Sequence, residues 1–225
     1  MKKIWSIKNI LFVGALFFGI VTITKGQQAF RKGSLLLSVS EGNTWGNFST
    51  SDVAHPDGIH ANPVHLHGCR DPFIVEYGLS NRWGIGFTMG NDIFKFNPTS
   101  LYHTDAAGVM AKASTTEFTF DCSYHFFIRK RLDFSAFGAM GPSSVLVNSG
   151  TCDATSQYKA SGFLIRTGIR ARYYFLKRFG VFAMVSAYAS GFSPQGVKGS
   201  TFGASYNTGI SGIANEFGFC CRLCR

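Results

Sequence analysis

Thr116–Glu117–Phe118–Thr119–Phe120–Asp121–Cys122–Ser123–Tyr124–His125–Phe126 is the stretch on which the fold turns. Its apolar members fall on every second residue, and the set between them carries two carboxylates and a histidine. Successive side chains of a strand point to opposite faces. This strand is therefore apolar on one face and charged on the other. A soluble sandwich or barrel would turn the apolar face inward, and the other set would have to suit water. A closed sheet in a bilayer turns the apolar face to lipid and the charged face to its own lumen.

The same pattern recurs eight times after residue 30. The expected strands begin at about Gly33, Pro72, Trp83, Thr116, Leu132, Ser161, Phe179 and Tyr206. Phe73, Val75, Tyr77, Trp83, Ile85, Phe87, Phe118, Phe120, Phe163, Ile165, Ile169 and Tyr173 form the expected lipid-facing set. Glu76, Glu117, Asp121, Arg166, Arg170 and Arg172 alternate with them and face the lumen. Gly84, Gly86 and Gly90 share that inner face, which suits an interior crowded by close backbones.

The connections alternate in length. Tight turns are expected at 80–82, 129–131 and 176–178, and long loops at 47–68, 97–112, 148–159 and 191–204. Short turns on the periplasmic side and long loops outside are the arrangement of an outer-membrane barrel, with both termini periplasmic. An even strand number lets the last strand pair with the first and removes both edges. The fold class is thus all-β: an eight-stranded antiparallel up-and-down transmembrane β-barrel.

The N-terminus agrees with an exported protein. Met1–Lys2–Lys3 and Lys8 precede an apolar run from Ile10 to Ile23, and Thr24–Lys25–Gly26 places small residues around a cleavage site before Gln27. The run is shorter than the roughly 20 residues of a spanning helix, so residues 1–26 read as a signal peptide and 27–225 as the barrel domain. Removing 1–26 takes four lysines and no acid, and the formal charge falls from +10 to +6. The remaining excess is modest and sits partly in turns such as Arg129–Lys130–Arg131 and Lys177–Arg178. There is no basic helix and no recognition motif, so no nucleic-acid partner is assigned.

The chain resembles the small outer-membrane β-barrels of the OmpA/OmpX-like superfamily, in the form common in Bacteroidetes. The resemblance rests on Gln27–Gln28, Gly33–Ser34–Leu35–Leu36–Leu37, Val75–Glu76–Tyr77–Gly78–Leu79–Ser80–Asn81–Arg82–Trp83–Gly84–Ile85–Gly86, and Gly168–Ile169–Arg170–Ala171–Arg172–Tyr173–Tyr174–Phe175. It covers nearly all of 27–225 and implies an outer-membrane, porin-like architecture without a fixed substrate. Such barrels usually end in an aromatic residue read by the barrel assembly machinery. This chain continues past Phe219 with Cys220–Cys221–Arg222–Leu223–Cys224–Arg225.

An eight-stranded lumen is filled by side chains. The reading is therefore a monomeric barrel, embedded among outer-membrane lipids, with a structural or loop-mediated binding or adhesion role. A narrow porin-like channel is the alternative. A lipid-A-modifying enzyme is the second, since Asp121, Ser123 and His125 share one face; no nucleophile motif surrounds Ser123, so no catalytic residue is assigned. The first loop holds His55, Asp57, His60, His65 and His67. Imidazoles so grouped can bind zinc or copper. The spacing matches no known site, so no metal or cofactor is assigned, and His65 and His67 are the candidate pair. Cys69 and Cys152 are a candidate disulfide near the outer loops, and Cys122 is expected mid-strand facing lipid.

Overall fold

A computed structural model describes residues 29–52, 64–96, 111–151, 154–198 and 206–223. Within them the chain forms strands β1 (Leu35–Asp52), β2 (Val64–Arg70), β3 (Phe73–Gly78), β4 (Trp83–Phe96), β5 (Ala111–Ile128), β6 (Leu132–Thr151), β7 (Ala154–Tyr174), β8 (Phe179–Lys198) and β9 (Tyr206–Leu223). All pairings are antiparallel, and β9 pairs with β1 to close the sheet. β2 and β3 occupy one position in the wall. Both lie between β1 and β4, in one continuous register: Gly42 faces Arg70 and Val39 faces Phe73. Nine strand segments thus make an eight-position barrel.

The register fixes the barrel's inclination. Stepping from partner to partner, Leu35 leads through Tyr77, Ile85, Cys122, Gly138, Thr167, Ala187 and Ile213 to Trp45, ten residues further along β1. Ten residues rise about 33 Å along the strand, against about 38 Å around eight strands. The strands therefore lean about 40° from the axis, within the range of closed barrels. The same ten residues span about 25 Å along the axis, the height of the apolar band that such barrels show to lipid.

The outward face between those levels is largely apolar. Trp83, Phe87, Phe118, Phe120, Ile165, Ile169, Val185 and Phe217 are all exposed, although they are large hydrophobic residues. Rings mesh across strands: Phe87 packs at 5.7 Å against both Phe118 and Phe120, and Trp83 at 4.9 Å against Tyr124. One flank carries outward polar residues at Glu41, Asn43, Asp71, Asn91 and Asn215. A bulge between His125 and Phe127 turns both Phe126 and Phe127 outward at the short-turn end.

The strands run further than their sequence pattern suggests. β1 continues to Asp52, β2 occupies 64–70 of the expected first loop, β4 reaches Phe96, and β8 reaches Lys198. β6 passes through Pro142 to Thr151, which pairs with Ala154, so most of the expected loop 148–159 is a hairpin. The reason is a change of facing. Above the apolar band the inward residues become apolar: Phe48, Val64, Leu66, Phe94, Val145 and Ile210 are buried together. The outward residues become polar, as with Asn47, His65, His67, Lys95, Lys112 and Ser211. The alternation persists with its meaning reversed, as it must when a barrel wall leaves lipid for water. Residues 53–63, 97–110, 152–153 and 199–205, with His55, Asp57, His60 and Cys152, lie outside the described residues, as do 1–28 and Cys224.

Chain reversals occur at the three expected tight turns, and β1 begins and β9 ends at that same end of the barrel. Here Cys220, Cys221, Arg222 and Leu223 belong to β9 rather than to a tail, with Cys220 and Arg222 turned inward. Phe120 sits near the middle of the apolar band. Phe120→Arg should cost about 2–4 kcal/mol of stability in a bilayer, and a charge added at Asn47, above the band, close to nothing. Reversible unfolding from lipid vesicles measures both; equal costs would contradict the assigned facing.

Candidate functional site: the sealed lumen

The inward set of the lower two-thirds of the barrel is charged and buried. Arg70 ends β2 and is 0% exposed. Its guanidinium donates to Asp92 of β4 at 2.9 Å, to Glu216 of β9 at 2.8 Å, and to Glu117 of β5. Arg166 of β7 crosses from the other side to Glu117 at 2.9 Å and Glu216 at 3.4 Å. Its guanidinium lies 5.3 Å from the Tyr188 ring centre. Two arginines and three carboxylates from five strands thus tie the wall together across its interior.

A second cluster lies nearer the short turns. Glu76 of β3 accepts from Arg170 at 3.2 Å, from Arg172, from Ser123 and from His125 Nε2 at 2.8 Å. Asp133 of β6 accepts from His125 Nδ1 at 2.7 Å and from Arg172 at 3.1 Å. Arg170 also lies 4.9 Å from the Phe137 ring centre. Asp121, between the clusters, accepts from the hydroxyls of Thr88 and Thr119.

Glycines make room for these pairs. A Cβ at Gly90 would stand 2.9 Å from both Arg70 Nη2 and Glu117 Oε1, and one at Gly84 would stand 2.6 Å from Ser123 Oγ. At these two positions the absent side chain is what lets the ionic groups approach the wall.

The end near the termini is stoppered by the chain itself. Gly33, with φ 78°, lets the backbone turn sharply between this stopper and β1. Ala29 and Phe30 lie inside, both 0% exposed. Phe30 stacks on the His125 ring with centroids 3.4 Å apart. Ala29 N donates to Arg129 O at 3.2 Å, and Arg222 donates to Ala29 O at 3.0 Å and Lys177 O at 2.6 Å.

Of the residues expected in the lumen, Glu76, Glu117, Asp121, Arg166, Arg170 and Arg172 all lie on the inner face and are buried. They do not pair as a single network. Glu117 meets Arg166 and Arg70, whereas Arg170 meets Glu76, and the carboxylate of Asp121 is held by hydroxyls. The reason is height. Arg170 stands four residues nearer the short turns than Arg166, and only two from Arg172. Reading the residues alone missed Arg70, Asp92, Asp133 and Glu216. A signal was present in Val64, Leu66, Gly68 and Arg70, which alternate with His65, His67 and Cys69.

His65 and His67 lie on β2 facing outward, not in a loop. His65 Nδ1 donates to Asn47 at 2.7 Å, and His67 packs against Trp45. Among the described residues no group of three or more His, Cys, Asp or Glu side chains is placed to hold a metal ion. Cys69 and Cys122 are free and exposed. Ser123 Oγ lies 3.3 Å from His125 Nε2, and His125 is backed by Asp133. The spacing resembles a hydrolytic triad, but both ring nitrogens donate to carboxylates. The imidazole then has no lone pair with which to take the Ser123 proton.

No known family model matches this chain, and no curated protein matches it in sequence. Solved structures do match its fold. The outer membrane protein OprG from Pseudomonas aeruginosa is similar over 87% of this chain and 98% of its own, with a TM-score of 0.53 at 12% identity. A major outer membrane protein from Thermus thermophilus is similar over 84% of this chain and 99% of its own, with a TM-score of 0.53 at 6% identity. The likeness is one of fold: a transmembrane-type antiparallel barrel.

Breaking the upper cluster should separate the two networks. Arg70→Ala leaves buried Asp92 without a cation and Glu117 and Glu216 with Arg166 alone, and should cost about 3–5 kcal/mol. In double-mutant cycles Glu117→Ala and Arg166→Ala should couple by about 1–3 kcal/mol. Glu117→Ala and Arg170→Ala should add within about 0.5 kcal/mol. Equal coupling in both cycles would mean one continuous network.

Proposed function

We propose that this chain is an integral outer-membrane barrel that conducts nothing at rest and works through its outer storey, as a structural and binding barrel. The observation that carries this reading is Arg70, fully buried and bound to carboxylates from three other strands. Charges so paired leave no ion a free path, and separating them is costly. Phe30 and the upper apolar cluster close the interior below and above. The 25 Å apolar band, the polar storey beyond it and the likeness to outer-membrane barrels support the location. On this reading the termini and tight turns are periplasmic, the barrel is a monomer inserted by the assembly machinery, and residues 1–26 are its signal peptide. The resemblance to the Bacteroidetes form of the OmpA/OmpX-like superfamily is consistent with that placement.

Any ligand of this barrel meets the strand ends above the membrane and the segments 53–63, 97–110 and 199–205 joining them. A lipid-modifying activity at Ser123 is disfavoured by the committed nitrogens of His125 and by the stacked Phe30.

Planar-bilayer recording of the native protein should show no large steady conductance. Arg70→Ala combined with Phe30→Ala should raise the frequency of openings. Large, stable channels in the native protein would establish the porin reading instead. Protease added to intact cells should cut within 53–63, 97–110 or 199–205 and spare 80–82, 129–131 and 176–178; the reverse pattern would invert the orientation.

A further inference from the structure

We propose that His67, Lys95 and Lys112 form a lateral site for the phosphate of an outer-leaflet lipid headgroup. The inference rests on the membrane placement above. His67 of β2 faces Lys95 of β4, and Lys95 faces Lys112 of β5, in one row on the outward surface. All three are exposed. Like charges directly across a strand pair repel and destabilise the sheet unless an anion lies between them. Among the described residues neither lysine has a carboxylate in salt-bridge range, and the outward acids Glu41 and Asp71 lie lower on the wall.

The height of the row identifies the anion's source. Trp45, the partner of His67 on β1, stands at the upper edge of the apolar band, its ring 5.7 Å from that of His67. Each step from β1 towards β5 climbs about 3 Å, an eighth of the 25 Å rise around the barrel. Lys95 and Lys112 therefore stand about 6 and 9 Å above Trp45, at the depth of headgroups. Lysine stems reach downward along the wall while the ammonium stays in that layer. Below them on the outward face come Ile93, then the polar group Asn91, Ser114 and Thr116, and below that group the apolar Met89, Phe87 and Phe118 that acyl chains meet. A dissolved phosphate would use the cations alone; a phosphorylated amphiphile uses both.

The test uses the chain from Gln27 onward with Trp83→Phe, so that Trp45 is the remaining tryptophan, in phosphatidylcholine discs doped with spin-labelled diphosphoryl lipid A. Lipid A should quench Trp45 at low mole fraction. Lys95→Gln with Lys112→Gln should raise the half-saturating fraction about tenfold or more, the scale of two lysines at an anionic surface. Lys95→Arg with Lys112→Arg should retain tight quenching. Equal quenching in the glutamine variant, or by lipid A stripped of both phosphates, would overturn the site. Loss of quenching by lipid A when inorganic phosphate is added as competitor would assign the site to a free anion and overturn the lipid assignment. Protein that enters the discs without preferring phosphate refutes this inference alone; protein that fails to enter them refutes the membrane placement on which it rests.

Discussion

The closure of the sheet sets everything else in the molecule. A circuit of the wall returns to β1 ten residues higher, at Trp45 rather than Leu35. Every strand must therefore lean, and among the described strands the sheet has no open edge. The same closure fixes the bore. With eight wall positions the interior admits side chains and little else. Whatever the inward positions carry must then be packed and paired, because it has nowhere to go.

That constraint explains the two ionic clusters. Each buried guanidinium in the middle of the barrel spans to strands far apart in sequence: Arg70 to Glu216, Arg166 to Glu117, Arg172 to Glu76. Such pairs contribute little net stability once desolvation is counted, but removing one partner is severe. Their effect is on specificity. A strand slipped by one residue would turn these charges to lipid and the aromatic set to the lumen, so the pairs penalise the wrong register heavily. Gly84 and Gly90 belong to the same device, since they hold open the space that the pairs occupy.

The lower two-thirds of each strand was legible because period-two alternation there has one consistent meaning. Glu117 to His125 inward and Phe118 to Phe126 outward can be read directly from the chain. The upper third was not, because the meaning reverses where the wall leaves the apolar band. Val64 and Leu66 point in while His65 and His67 point out, so a rule tuned to lipid-facing strands reads that segment as loop. Asp92 and Glu216 fell in strand extensions or behind small neighbours, and Asp133 sat beside a turn. The partners of each arginine were illegible for a different reason. They depend on relative height, which comes from register and shear and not from any one strand's pattern.

The interruption between β2 and β3 tests whether the barrel is truly sealed. Pro72 has no N–H for the ladder, and the outward polar residues Glu41, Asn43, Asp71, Asn91 and Asn215 gather around it. A gap in the wall here would offer a side entrance. The backbone bonds argue otherwise: Ser40 N donates to Pro72 O at 3.2 Å, and Asp71 N donates to Asn91 O at 3.1 Å. The register on either side is unbroken. The outward amides are held locally as well, with Asn215 Oδ1 accepting from Asn43 N at 3.3 Å and Asn91 Oδ1 from Ser114 at 3.2 Å. Behind the interruption stands Arg70, fully buried and bound on three sides. The wall at this point lacks one donor, not its continuity, and the inner face that a side entrance would need is already filled.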